Sequence, residues 1–191
     1  MKFAKVSIPP WNAIGLLPPI DPEIPTSPCR SPYPVSLKDL VMRFSTSPER
    51  QTVLKGFLSY RKELHRIGIH DGIQWIDGSF LEDVEKIERR APRDIDVVSF
   101  CNTPLDLSLS AEDAQIFDQA IAKDRFCVDA YLVEINKVSP LDLTLLSAYW
   151  YSMWAHRRTQ VWKGFLQVDL APIEDAEALA CLIQIEATGG D

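Results

Sequence analysis

Two hydrophobic periods alternate along this chain, and their order leaves few architectures open. From 48 to 67, Val53, Leu54, Phe57, Leu58, Leu64 and Ile67 recur at helical spacing behind a Ser47-Pro48-Glu49 start, and Gly68 ends the pattern. Two strand-like runs follow: Ile73-Gln74-Trp75-Ile76-Asp77, leading into Gly78-Ser79-Phe80, and Asp94-Ile95-Asp96-Val97-Val98-Ser99-Phe100. Ser110-Ala111-Glu112-Asp113 reads as the cap of a helix reaching about Ala122. A third strand is expected over 126–135, then a long helix rich in Leu and aromatics from Ser139-Pro140 to about His156. A fourth strand over 164–170 and a helix from about Glu174 close the chain, while a short helix from Ser36 to about Phe44 opens the folded part. This order predicts an α/β (α+β) domain, a mixed β-sheet flanked by helices.

Residues 1–35 break the pattern. Pro9, Pro10, Pro18, Pro19, Pro22, Pro25, Pro28, Pro32 and Pro34 deny this stretch a helix, because proline lacks an amide donor and restricts the residue before it. Ile8, Trp11, Ile14, Leu16 and Leu17 nevertheless give it apolar surface to bury. It is expected to be an ordered, extended arm lying on one domain that spans 36–191. A chain of 191 residues can build one sizeable core and is too short for two.

The hydrophobic share of 46% and the charged share of 25% are those of an ordinary globular protein. No apolar run is long enough for a bilayer, and Met1-Lys2-Phe3-Ala4-Lys5-Val6 leads into prolines rather than a signal-peptide core. A cytoplasmic location without a membrane partner is therefore expected. Cys29, Cys101, Cys127 and Cys181 form no C-x-x-C pair, and His65, His70 and His156 are scattered, so a zinc site is not expected. A net charge of −7 argues against generic nucleic-acid binding and leaves room for a local basic groove.

The informative constellation is Gly78-Ser79, a spacer of 14 residues, and then Asp94-Ile95-Asp96. Residues two apart on a strand share a face, so Asp94 and Asp96 are expected side by side with Ile95 and Val97 turned to the core. Asp129, in Val128-Asp129-Ala130, is expected on a neighbouring strand of the same sheet. Three carboxylates crowded on one face repel one another, and hard divalent cations that prefer oxygen ligands would turn that repulsion into binding. Gly78 would let backbone amides approach a phosphate closely, with the Ser79 hydroxyl as a further donor.

These five residues make the chain resemble the polymerase-β-like nucleotidyltransferase superfamily. Its signature is an apolar residue, Gly-Ser, a spacer, acid-apolar-acid, and a third acid on a later strand. More narrowly, the chain is similar to a small uncharacterised bacterial group within that superfamily. The shared elements are Asn12-Ala13-Ile14-Gly15-Leu16-Leu17-Pro18 in the arm and the late Trp154, Arg157 or Arg158, and Lys163-Gly164. The spacer after Ser79 is longer and more charged than in most of the superfamily.

The resemblance implies a nucleotidyltransferase fold and two magnesium or manganese ions held by Asp94, Asp96 and Asp129, which would also be the catalytic residues. It implies an NTP substrate, with transfer of its nucleoside monophosphate to a hydroxyl of RNA or tRNA, a protein or another nucleotide, and release of pyrophosphate. Gly78, Ser79, Arg157, Arg158 and Lys163 are the candidate nucleotide-binding residues, arginine matching phosphate through its planar fork. A toxin–antitoxin or antiphage defence module, with a partner protein, is the setting the resemblance implies. The alternative is a catalytically silent nucleotide-binding or regulatory protein of the same fold. Lys86, Arg89, Arg90 and Arg93 alternate with Glu82, Asp83, Glu85 and Glu88, and a solvated charged face is expected there.

Overall fold

The computed structural model describes residues 4–189; the first three residues of the expected arm and the last two of the expected domain lie outside the described residues. In chain order the elements are β1 (Tyr33–Pro34), α1 (Leu37–Phe44), α2 (Pro48–Arg66), β2 (Asp71–Asp77), α3 (Val84–Glu88), β3 (Ile95–Asn102), α4 (Gln119–Phe126), β4 (Val128–Glu134), α5 (Pro140–Trp154), β5 (Leu166–Asp169) and α6 (Asp175–Thr188). The strands form one mixed sheet in the order β1-β5-β2-β3-β4. β2 is antiparallel to both neighbours, whereas β3 with β4 and β1 with β5 run parallel.

Local chemistry explains most of the boundaries. The Ser36 and Ser47 hydroxyls accept from the backbone N–H of Asp39 and Arg50, capping α1 and α2. Pro48 sits in the first turn of α2, where its missing N–H costs nothing. On one side of the sheet Ile76, Val97 and Ala130 lie in register and are buried. Among the helices, α2 contacts α4, α6 and β4. Two arginines of α2 are fully buried, which the spacing of its apolar residues did not foretell. Arg61 Nη1 donates to Gln74 Oε1 at 2.6 Å, and its Nη2 and Nε pair with Asp175 at the start of α6. On the opposite side α5 leans on the sheet through rings: Trp150 lies 4.7 Å from Tyr131 and Trp154 6.0 Å from Phe165, between centroids.

The arm is ordered by hydrogen bonds as well as burial. Leu16 and Leu17 are buried, the Asn12 side chain accepts from the N–H groups of Ile14 and Leu16, and Gly164 N donates to Leu17 O. Trp11 Nε1 donates to Leu81 O and Asp83 N donates to Gly15 O, so the arm grips the turn that follows β2. Its end is a strand, which the proline content had hidden. Tyr33 N donates to Phe165 O, just before β5, and Val35 N to Gln167 O on β5, while the interleaved Pro32 and Pro34 have no N–H to donate. Proline at alternate positions is compatible with an edge strand and with no other.

Two further expectations are corrected. The helix expected behind Ser110 is instead a 3-10 segment, Asp113–Phe117, followed by α4. Asp118 is extended and caps α4 itself, accepting from Ile121 N, so a second cap restarts the chain eight residues after the first. The charged spacer contains the short helix α3, and its face is only partly solvated: Lys86, Glu88, Arg89, Arg90 and Arg93 are exposed, whereas Glu82 is buried. Among the described residues, no helix is long and apolar enough to cross a membrane.

Candidate functional site

Register builds the site. Asp77 on β2 is the partner of Asp96 on β3, and Asp96 is the partner of Asp129 on β4. Register partners share a face and neighbouring strands lie about 4.8 Å apart, so three aspartates form a row across the sheet, opposite the Ile76–Val97–Ala130 row. Asp94 stands two residues before Asp96, one position ahead of the β3 start. Asp96 and Asp129 therefore share one face of the sheet, with Asp77 as a further member of the row and Asp94 at the entry to β3.

The row is electrostatically costly, and its members are compensated unequally. Burial, followed by the charges of Asp77, Asp94 and Asp129, pushes the Asp96 carboxyl up to about 7. Among the described residues no hydrogen bond or ion pair reaches the Asp96 carboxylate, although the charge of Lys163 acts in the opposite direction. Asp77 is buried with Lys163, whose Nζ lies 2.8 Å from Asp77 Oδ1 and 3.3 Å from Glu82 Oε1. Burial still pushes Asp77 up to about 6 against that attraction. Burial also opposes the Lys163 charge, but Asp77 and Glu82 outweigh it and raise its pKa, so the pair is ionic at neutral pH. At the other end, Lys123 Nζ lies 2.6 Å from Asp94 Oδ2 and 3.8 Å from Asp129 Oδ2. The hydrogen bond to Asp94 raises the Lys123 pKa.

The turn carrying Gly78 and Ser79 is fitted to this row. Gly78 has φ 91°, and a Cβ there would stand 2.7 Å from Asp96 Oδ2. Ser79 opens a single 3-10 turn, Ser79–Leu81. Fully buried Arg50 clamps it from beneath, donating to Phe80 O and Glu82 O at 2.6 Å each and to both oxygens of Glu85.

The three basic candidates part company. Lys163 was expected to face a phosphate, but its side chain is 7% exposed and sits behind the row on Asp77 and Glu82. Arg157 reaches the same network, with Nη2 3.2 Å from Glu82 Oε2 and a second contact to Glu88. Glu82 Oε2 is buried and has no aligned hydrogen bond. Arg158 is exposed and joins none of these contacts.

Carboxylates are the hard oxygen donors that magnesium and manganese take, and the lack of a Cβ at Gly78 lets the turn pass close to Asp96. As placed, no group of three or more acidic, His or Cys side chains is close enough to hold a metal ion among the described residues. An ammonium group, Lys123, stands within ion-pair distance of both Asp94 and Asp129.

The family described as "Family of unknown function (DUF6932)" matches residues 9–169, which cover most of the arm, all five strands and every acid of the row. The chain belongs to the DUF6932 family. No curated protein and no solved structure matches it. The matched span of this DUF6932 chain also contains three site residues that sequence reasoning passed over: Asp77, Glu82 and Lys123. Asp77 was legible in principle, since an acid where a resembling signature carries an apolar residue calls for a buried cation. Lys123 left no such signal, because it comes from a helix whose boundaries were misplaced.

Proposed function

We propose that the aspartate row is the metal centre of an NTP-dependent nucleotidyltransferase of the polymerase-β-like fold. One observation carries the reading. Asp96 is a half-buried carboxylate set among three others, with only the charges of Lys163 and Lys123, both already paired with other acids, to offset them, a costly arrangement that divalent cations would relieve. Asp94, Asp96 and Asp129 would hold the magnesium or manganese ions. Bound there, the ions would supply charge neutralisation of the triphosphate and a lowered pKa for the acceptor hydroxyl.

The chain's own residues do the rest. Gly78 and Ser79 border the row at β2 and offer backbone and hydroxyl donors to the phosphates. Asp129 lies on β4, at the far end of the row, and takes the proton of the attacking hydroxyl. That oxygen bonds to the α-phosphorus as the α–β bridge breaks, and pyrophosphate leaves. Arg50, Trp11 and Asp83 fix the turn so that Ser79 is positioned before substrate arrives. Lys163 holds Asp77 and Glu82 behind the row, a role distinct from phosphate binding.

The test is pyrophosphate release with each NTP in magnesium or manganese, comparing wild type with Asp94→Ala/Asp96→Ala. Turnover should appear in the wild type and fall at least a hundredfold in the double variant, in line with loss of metal ligands. Equal rates would refute the reading. A melting-temperature rise with metal and NTP that depends on Asp94 and Asp96, without turnover, would favour the silent binding protein instead.

A further inference from the structure

Lys123 brings an ammonium to the β4 end of the aspartate row. Its ammonium is 2.6 Å from Asp94 Oδ2 and 3.8 Å from Asp129 Oδ2, and it touches the two acids that flank Asp96 rather than Asp96 itself. The backbone delivers it there with little freedom. α4 ends at Phe126, Cys127 turns in the left-handed region with φ 55°, and its N–H closes the helix on Lys123 O. Cys127 O then accepts from Ile95 N, so the helix end is tied to the start of β3, beside Asp94. The side chain itself is 52% exposed and can swing out to water without opening the core.

We infer that Lys123 is a built-in competitor for the metal ion, an internal cation that holds Asp94 and Asp129 in the metal-free protein and must leave for metal to bind. The inference rests on the proposed metal centre and adds a residue that sets its affinity. Three features fit together under it. Two of the four aspartates share an ammonium and a third has Lys163, so much of the row's charge meets a cation of the chain itself. The Lys123 ammonium is within ion-pair distance of two of the carboxylates that would have to close on an ion. The ammonium itself is open to water although Asp94 is only 22% exposed, so the pair costs little to break and a 2+ ion can displace it. On release, the ammonium stays tethered beside the β4 end of the row, available to the anion that arrives with the metal.

The experiment measures Mn²⁺ binding by calorimetry, without nucleotide, on full-length wild type, Lys123→Met, Lys123→Arg and Asp94→Asn. Lys123→Met should bind Mn²⁺ roughly two- to fivefold more tightly, the range expected when an exposed ion pair no longer has to be broken. Lys123→Arg keeps the pair and should stay within twofold of wild type. Asp94→Asn should weaken binding. Unchanged or weaker affinity in Lys123→Met, with wild type binding and Asp94→Asn impaired, overturns the competitor and leaves the metal centre standing. No saturable Mn²⁺ binding by any of the four proteins overturns both. Melting curves in EDTA check folding, and Lys123→Met, altered at a half-exposed position, should lose no more than a few degrees.

Discussion

Replacing Lys163 by methionine isolates the buried charge behind the row. The side chains of Lys163, Asp77 and Glu82 are only 7%, 5% and 6% exposed. At an effective dielectric of about 20, Coulomb's law gives roughly 6 kcal/mol for the 2.8 Å contact with Asp77 and roughly 5 for the 3.3 Å contact with Glu82. Desolvation of the three groups offsets most of that sum, so the net worth of the intact network is small. Breaking it from one side is different, because the desolvation remains and the attraction does not; the expected loss is about 3–5 kcal/mol at pH 7.5. Asp77 already stands at about 6 and rises further without Lys163, so it takes up a proton on acidification and the loss should shrink by pH 5. Asp77→Asn/Lys163→Met removes both charges and should recover at least 2 kcal/mol of the single variant's loss. Urea unfolding followed by tryptophan fluorescence and far-UV circular dichroism measures all of this. A loss under about 1 kcal/mol at pH 7.5, or a double variant no more stable than the single, would refute the account of Lys163 as the buried counter-ion.

Two further outcomes follow from the same row. Folded Asp96 keeps its proton up to about 7 whereas the unfolded chain releases it near the ordinary carboxylate value, so its contribution to stability falls as pH rises between those values. Asp96→Asn in EDTA should match wild type near pH 4 and exceed it by roughly 2–4 kcal/mol at pH 8; a constant difference across that range in urea titrations would contradict the raised carboxyl. Gly78→Ala places a methyl 2.7 Å from Asp96 Oδ2 on a backbone with φ 91°, and should cost about 1–3 kcal/mol in urea unfolding together with most Mn²⁺ affinity. Wild-type values for both would remove the close approach of the turn to the row.

Much of this protein is written in local chemistry. Ser36, Ser47 and Ser139 cap the helices they were expected to cap, because a hydroxyl and the next three residues suffice to satisfy the first free amides. The strands around Ile76, Val97 and Val128 follow from runs of apolar and β-branched residues, and with them the mixed sheet and the shared face of Asp94 and Asp96. Local signals failed where two of them competed, as at Ser110 and Asp118, or where proline masked an edge strand at Tyr33.

What only tertiary structure decided is which charges meet. Period-two alternation puts an acid on a face, but register between strands makes Asp77, Asp96 and Asp129 neighbours. Register is set by every residue of a strand at once and by turns far from the acids. The cations come from greater distance still: Lys123 is brought by the turn at Cys127, and Lys163 is separated from Asp77 by 86 residues. A charge carries no mark of its eventual partner, since Coulomb attraction depends on separation in space, and separation is fixed by packing of the whole domain.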